Sequence, residues 1–356
     1  MIFQPEDHYM PAQLDKYIYQ ATQKLRSAWY SAHYAAALRL APAFDYQEDG
    51  PLPSWRAIYA DLNNLLVRDW SNIRKGLYPA PPLTEMNPIS NARKSLAFFR
   101  DLSAVNRRRH AGIGQEVFKP GLRGHYPRYF LQNFHYQSGG YLTDESAALY
   151  DHQVEVLFVG GADAMRRQCL GSLLQFIQSA TVQETKHLDV ACGTGRFLAM
   201  LKDARPRIRV AGADLSLPYL REARRGLMEW SRTGLIQTNA EALPFADASH
   251  ETLSCVFLFH ELPRQVRRQV AAEMSRVLKP GGRLFFLDSM QIGDRPDYDA
   301  LLRRFPLAFH EPYYHDFITS DLTELFEQSG LRILRTQREF FAKLIVAEKP
   351  EASANA

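Results

Sequence analysis

Asp189, Gly193 and Gly195 fall within one run, His187-Leu-Asp-Val-Ala-Cys-Gly-Thr-Gly-Arg-Phe-Leu198. An acid closing an apolar stretch, then two glycines one residue apart ahead of a helix-like segment, describes a strand turning tightly into a helix. Glycine lets such a turn take positive φ and lets a ligand approach the main chain, while the helix start presents unpaired N–H groups. An ordinary βα turn reads the same way, so the chemistry has to be sought at the neighbouring strand ends.

The next strand ends in Ala213-Asp214-Leu215-Ser216. An acid there, roughly 20 residues past a glycine turn, is placed to accept from both hydroxyls of a ribose, a device shared by several nucleotide cofactors. Further on come Asn239-Ala-Glu-Ala-Leu-Pro-Phe245, Val256-Phe-Leu-Phe-His-Glu-Leu262 and Arg276-Val-Leu-Lys-Pro-Gly-Gly-Arg-Leu-Phe-Phe286. His260 and Glu261, the candidate catalytic pair, follow the fourth strand at the carboxyl edge, where open α/β sheets bind ligands. His260 reads as a general base, its ordinary pKa lying near neutrality, or else as a packed residue that shapes the pocket.

The elements that must hold these residues follow from periodicity. Strands are expected at His187–Ala191, Ile208–Ala213, Leu235–Thr238, Thr252–Phe259 and Arg283–Asp288, with helices at Arg196–Ala204, Leu217–Trp230 and Arg264–Leu278 between them. A helix capped at Ser320 and ended at Gly330 precedes two β-rich runs, Leu331–Glu339 and Phe341–Ala347, expected to pair as a hairpin. Upstream, Leu14–Leu40, Ser54–Leu77 and Asn91–His110 carry aromatic and aliphatic residues at helical spacing, separated by proline-rich breaks. Thr143–Ser179 reads as one or two helices, broken at Gly160-Gly161. The expected division is a helical accessory or lid domain over 1–135, an α/β domain over 136–349 and a disordered tail over 350–356.

Taken together, LDVACGTG, GADLS, NAEALPF and LKPGG, in order and at suitable spacing, resemble the class I S-adenosylmethionine-dependent methyltransferases, in the branch of the ubiquinone and menaquinone C-methyltransferases. The resemblance covers about residues 140 to 348. It implies a Rossmann-like sheet of seven strands, mostly parallel with one antiparallel strand, and S-adenosyl-L-methionine as cofactor, leaving S-adenosyl-L-homocysteine as product. By resemblance, Asp189, Ala191, Cys192, Gly193 and Gly195 would line the methionine part, although many members carry glycine where Ala191 stands. Asp214 would bind the ribose, Leu215 would lie on the adenine, Asn239 and Ala240 would meet its edge, and the backbone at Phe259 and His260 would pass the sulfonium. Tyr141 and Tyr150 occupy the segment that such enzymes fold over the cofactor.

For the acceptor, the candidates are Asp288 at the end of strand five and His310, Tyr313, Tyr314 and His315 in Phe309-His-Glu-Pro-Tyr-Tyr-His-Asp316. The histidines His110, His125, His135, His310 and His315 show no compact ligand spacing, so no metal is expected.

The bulk numbers bound the rest. With 356 residues, 46% hydrophobic, 23% charged and a formal charge of +4, the chain reads as globular and without the basic face that nucleic acid requires. Three widely spaced cysteines (Cys169, Cys192, Cys255) suit reduced thiols, the N-terminus lacks a signal-peptide pattern and no apolar run is long enough to span a bilayer, so a cytoplasmic protein is expected. The N-terminal helices read as a lid, as a homodimer surface or as a platform for membranes or partners. The leading functional expectation is methyl transfer to a small-molecule acceptor at a thiol or sulfide sulfur, a phenolic oxygen or a quinone-like carbon. Its alternatives are a dedicated small-thiol or hydrogen sulfide S-methyltransferase and a cofactor-binding scaffold without catalysis.

Overall fold

The computed structural model describes residues 13–41, 50–83, 87–122, 124–177 and 184–351. The expected tail lies outside them from residue 352 onward, as do residues 1–12 and most of the break after Leu40.

Three long helices come first: α1 (Gln13–Leu40), α2 (Trp55–Arg74) and α3 (Pro88–Ala111). The starts of the last two are fixed by side chains, Ser54 accepting from the Ala57 N–H and Asn87 from those of Ile89 and Ser90, and Pro88 sits in the first turn where no donor is missed. The stretch from Thr143 forms two helices, α4 (Asp144–Leu157) and α5 (Ala162–Ile177), broken where Val159 and Gly160 both take positive φ.

Strands then alternate with helices: β1 (Lys186–Val190), α6 (Arg196–Ala204), β2 (Arg209–Asp214), α7 (Leu217–Leu227), β3 (Thr233–Gln237), β4 (His250–Val256), α8 (Arg264–Val277) and β5 (Leu278–Ser289). After α9 (Asp299–Phe309), α10 (Tyr314–Ile318) and α11 (Leu322–Gln328), the chain closes with β6 (Arg332–Glu339) and β7 (Ala342–Glu348). The seven strands form one sheet in the order β3-β2-β1-β4-β5-β7-β6, with β1 to β5 parallel and β7 antiparallel to both β5 and β6. The order reverses between β1 and β4, the place where crevices open at the carboxyl ends of such sheets.

The last helix is capped by Asp321, whose side chain accepts from the Glu324 N–H, rather than by Ser320, and two strand limits differ from expectation by three residues or more. β4 stops at Val256 rather than Phe259 because Phe257 turns to a φ of +57° while its N–H still donates to the Leu287 carbonyl at 2.8 Å. β5 begins earlier, since Leu278 pairs with His250 ahead of an irregularity in the register and the Pro-Gly-Gly segment is carried inside the strand.

The N-terminal helices share the core of the sheet. Leu62, Leu65 and Ile73 of α2 belong to one buried cluster with Met165 and Leu174 of α5 and with Leu253 and Phe286 of the central strands. Polar contacts lock the same seam. Asp69, fully buried on α2, accepts from Tyr19 at 2.5 Å, Tyr78 at 2.8 Å and the Arg167 guanidinium at 2.7 Å. Arg26 of α1 reaches Glu155 and Asp163, each at 2.8 Å.

Candidate active site

A cleft opens at the carboxyl ends of β1, β2 and β4, with a cavity of about 100 Å³. Its floor comes from the β1 turn. Ala191 holds φ +58°, a conformation that favours glycine, and Gly193 holds φ +53° while its N–H donates to Asp214 Oδ2 at 2.8 Å. The other oxygen of Asp214 accepts from the Ser216 N–H at 2.7 Å. Burial pushes the Asp214 carboxyl up to about 6, against the pull of these N–H groups.

One end of the cleft is lined by Leu215, Thr238, Asn239 and Ala240. Asn239 is held by Glu241, to whose carboxylate its amide donates at 2.8 Å, and Tyr129 donates to the same carboxylate at 2.5 Å. The other end is aromatic: Tyr141 stacks on Phe134 at 5.5 Å and meets Tyr219 edge-on at 5.3 Å, and Tyr150 meets Tyr219 at 5.3 Å. Tyr141 donates its hydroxyl to Glu261, and its backbone carbonyl accepts from Ser216 at 2.5 Å, so this ring is fastened at both ends of the cleft. Burial raises the Glu261 carboxyl to about 7, although His260 and the Tyr141 hydroxyl oppose the shift.

Among the residues expected at the cofactor, Tyr141, Tyr150, Ala191, Gly193, Asp214, Leu215, Asn239 and Ala240 line the cleft, as does Glu261 of the expected catalytic pair. Four others do not. The Cys192 side chain faces Gly212, where an added Cβ would meet its sulfur at 2.7 Å, and Gly195 packs on Ala223 of α7. Phe259 is buried against Phe286 and Phe326. Asp189 lies beneath the floor, with one oxygen accepting from Ser254 and the other buried without a hydrogen bond; burial pushes its carboxyl up to about 7.

His260 is buried and hydrogen-bonded, as its packed reading describes. Its Nδ1 stands 2.6 Å from Asp288 Oδ1; burial works against its charge, but the Asp288 carboxylate overrides this and lifts the ring to about 10. The ring therefore holds its proton at neutral pH. Asp288 in turn is corrected as an acceptor contact, because it is fully buried and also takes the Phe259 N–H at 2.7 Å.

The acceptor loop is likewise redistributed. Tyr313 packs against the Phe134, Tyr141 and Tyr219 cluster beside the cleft. Tyr314 is buried with its hydroxyl 2.6 Å from that of Ser289, His310 lies over Gly114 and meets Gln132 at 3.1 Å, and His315 is exposed on α10, so none of these three lines the cleft. In their place stands Glu311, fully buried, with the His135 backbone N–H near its carboxylate but no well-formed hydrogen bond to either oxygen. His135 Nε2 approaches it at 3.3 Å, and ligand atoms of His135, Glu261 and Glu311 all lie within 4.8 Å of one another. Spacing along the chain conceals this group, because its members come from the connector, the β4 end and the loop after α9. Burial lowers the His135 ring to about 3 and, reinforced by the Glu261 charge, raises the Glu311 carboxyl well above its usual range.

Sequence reasoning also passes over Tyr129, Phe130 and Tyr219, which line the cleft. The signal for Tyr129 and Phe130 is the aromatic density of the connector, which does not say which rings turn inward, while Tyr219 sits on α7.

Residues 188–282 match the methyltransferase domain family. A ubiquinone/menaquinone biosynthesis C-methyltransferase of Syntrophotalea carbinolica is 42% identical over 106 residues, 29% of this chain and 44% of that relative, so the match spans less than half of the relative's length. A protein of Encephalitozoon cuniculi named as a methyltransferase is 30% identical over 202 residues, 52% of this chain and 89% of that one. Among solved structures, a SAM dependent methyltransferase from Aquifex aeolicus is 19% identical, covering 49% of this chain and 88% of that chain with a TM-score of 0.37. The chain belongs to the class I S-adenosylmethionine-dependent methyltransferases. The cleft fits that family's cofactor: an acid with two oriented oxygens and an open floor at Gly193, where a Cβ would meet nothing nearer than Tyr219 at 4.0 Å. Among the described residues no helix is long and apolar enough to cross a membrane.

Proposed function

We propose that this chain transfers a methyl group from S-adenosylmethionine to a small aromatic acceptor, at a phenolic oxygen or a quinol-like carbon. The observation that carries the reading is the polarity of the two cleft ends: Asp214 and Asn239 at one, and Glu261 fastened to Tyr141 among Phe134, Tyr150 and Phe257 at the other. The first end suits a nucleoside and the second a flat apolar molecule with one hydroxyl to donate. The quinone methyltransferase relatives support the same acceptor class.

When bound, S-adenosylmethionine supplies a methyl group on a positively charged sulfur. In this reading Asp214 accepts from the ribose hydroxyls, Leu215 lies on the adenine, Asn239 and Ala240 meet its edge, and Ala191 and Gly193 offer backbone to the methionine part. Glu261 is the polar handle for the acceptor, while His260 and Asp288 position the turn that carries it. Tyr141, Tyr150 and Phe134 exclude water and align the two reactants, which is most of what an in-line displacement asks of a protein. The connector, through Tyr129, Phe130 and Phe134, serves as the lid over this end, backed by the N-terminal helices of the accessory domain over 1–135. Three buried thiols and the small net charge support action in the cytoplasm on a dissolved molecule rather than on nucleic acid.

The test is turnover of the full chain with S-adenosylmethionine and a panel of phenols, quinols and small thiols, read as S-adenosylhomocysteine formed. Product with phenols or quinols is expected. Turnover confined to thiols would replace the acceptor class, and tight cofactor binding with no product from any acceptor would leave a scaffold.

A further inference from the structure

We propose that His135, Glu261 and Glu311 form a binding site for a divalent transition-metal ion at the acceptor end of the cleft. Three ligand atoms, one imidazole nitrogen and two carboxylate oxygens, already lie within 4.8 Å of one another. Such a mixed set suits Zn²⁺, Fe²⁺ or Mn²⁺ better than an all-oxygen ion such as Mg²⁺ or Ca²⁺. A fully buried carboxylate with no well-formed hydrogen bond to either oxygen is the independent mark of an incomplete set of partners: Glu311 has this environment, its neighbours being the backbone N–H of His135 and that residue's ring, which stands 3.3 Å away.

The surroundings hold the three residues in place. His135 takes φ +55° and the next residue, Tyr136, takes φ +54°, a pair of left-handed non-glycine residues that sterics disfavour unless the structure compels them. Asn133 compels them: its side chain accepts from the Val117 N–H at 3.3 Å and donates to the Gln137 carbonyl at 3.0 Å, clamping the turn from both sides. Phe305 and Phe309 flank the His135 ring edge-on at 6.2 and 6.0 Å, and fix its plane. Glu311 follows His310, itself at φ +48°, so the second loop is bent toward the first.

Three protein ligands leave one or more coordination positions for a small molecule, as open catalytic sites do. Glu261 belongs to both the trio and the cleft wall. An ion here would therefore fix the acceptor's oxygen or sulfur beside the cofactor. This deepens the methyltransferase reading, but its binding test does not depend on finding the acceptor.

The experiment is calorimetric titration of the full, chelator-stripped chain with Zn²⁺, repeated on Glu311→Gln and His135→Asn. One saturable equivalent is expected in the parent, weakened at least about tenfold in both variants, with S-adenosylhomocysteine binding and thermal unfolding retained as evidence of fold. No saturable binding, or binding untouched by both substitutions, would overturn the site while leaving the cofactor reading intact.

Discussion

The Gly193 N–H donates to Asp214 Oδ2 at 2.8 Å, tying the turn after β1 to the tip of β2 across 21 positions of sequence. Each end depends on the other: the left-handed φ of Gly193 aims the N–H, and the carboxylate so oriented keeps its remaining lone pairs toward the cleft. Asp214→Ala should therefore weaken S-adenosylhomocysteine binding by about 10- to 100-fold, the worth of a charge-assisted hydrogen bond in a partly enclosed site. Calorimetry checks the affinity and circular dichroism the fold. An affinity within twofold of the parent would remove Asp214 from the cofactor.

The same carboxyl gives a pH dependence. Its carboxylate form accepts from ribose hydroxyls, and burial places the proton's departure at about 6. Affinity should hold above pH 7 and fall by about tenfold between pH 7 and pH 5, since protonation of a group with a pKa near 6 removes the acceptor. Asp189 titrates nearby, at about 7, so the parent curve alone does not assign the effect. Asp214→Asn separates the two: its curve should lose the component near pH 6, and a curve of unchanged shape would reassign the dependence.

Legibility in the sequence followed distance along the chain. The β1 turn, the Asp214 tip and the Asn239 segment are each written in a few consecutive residues, so their chemistry could be read before any fold was known. Glu311 and His135 acquire meaning from each other across 176 positions, and no local pattern announces that a connector and a late loop converge. His260 was visible as a residue but not as a state: Asp288, 28 positions away, decides that its ring keeps the proton. The N-terminal helices were legible as helices through their periodicity and caps, whereas their union with the sheet core rests on Asp69 and Arg167, which spacing alone does not pair.

Asp69→Ala would leave the Arg167 guanidinium buried without its carboxylate, the Tyr78 hydroxyl without its acceptor and the Tyr19 hydroxyl with only the Leu66 carbonyl at 3.4 Å. Removing one partner from a buried ion pair costs about 3–5 kcal/mol. Chemical denaturation should show a loss of that size, and a loss below about 1 kcal/mol would mean that water enters the seam between α2 and α5 and takes the place of the carboxylate.

Tyr141→Phe isolates the role of the cleft's acceptor end. The ring would remain, still stacked on Phe134 and edge-on to Tyr219, so the wall against water should survive, and the Ser216 hydroxyl would still bind the backbone carbonyl. What disappears is the hydroxyl that orients Glu261. A hydrogen bond to a charged group is worth about 1.5–3 kcal/mol, so turnover should fall roughly 10- to 100-fold through misplacement of the handle, while S-adenosylhomocysteine affinity stays within about twofold. The Glu261→Gln variant should lose turnover too, and the double variant little more than either single one, because both act through one hydrogen bond. Additive losses would show that Tyr141 and Glu261 serve the reaction separately, with the tyrosine acting on the cofactor.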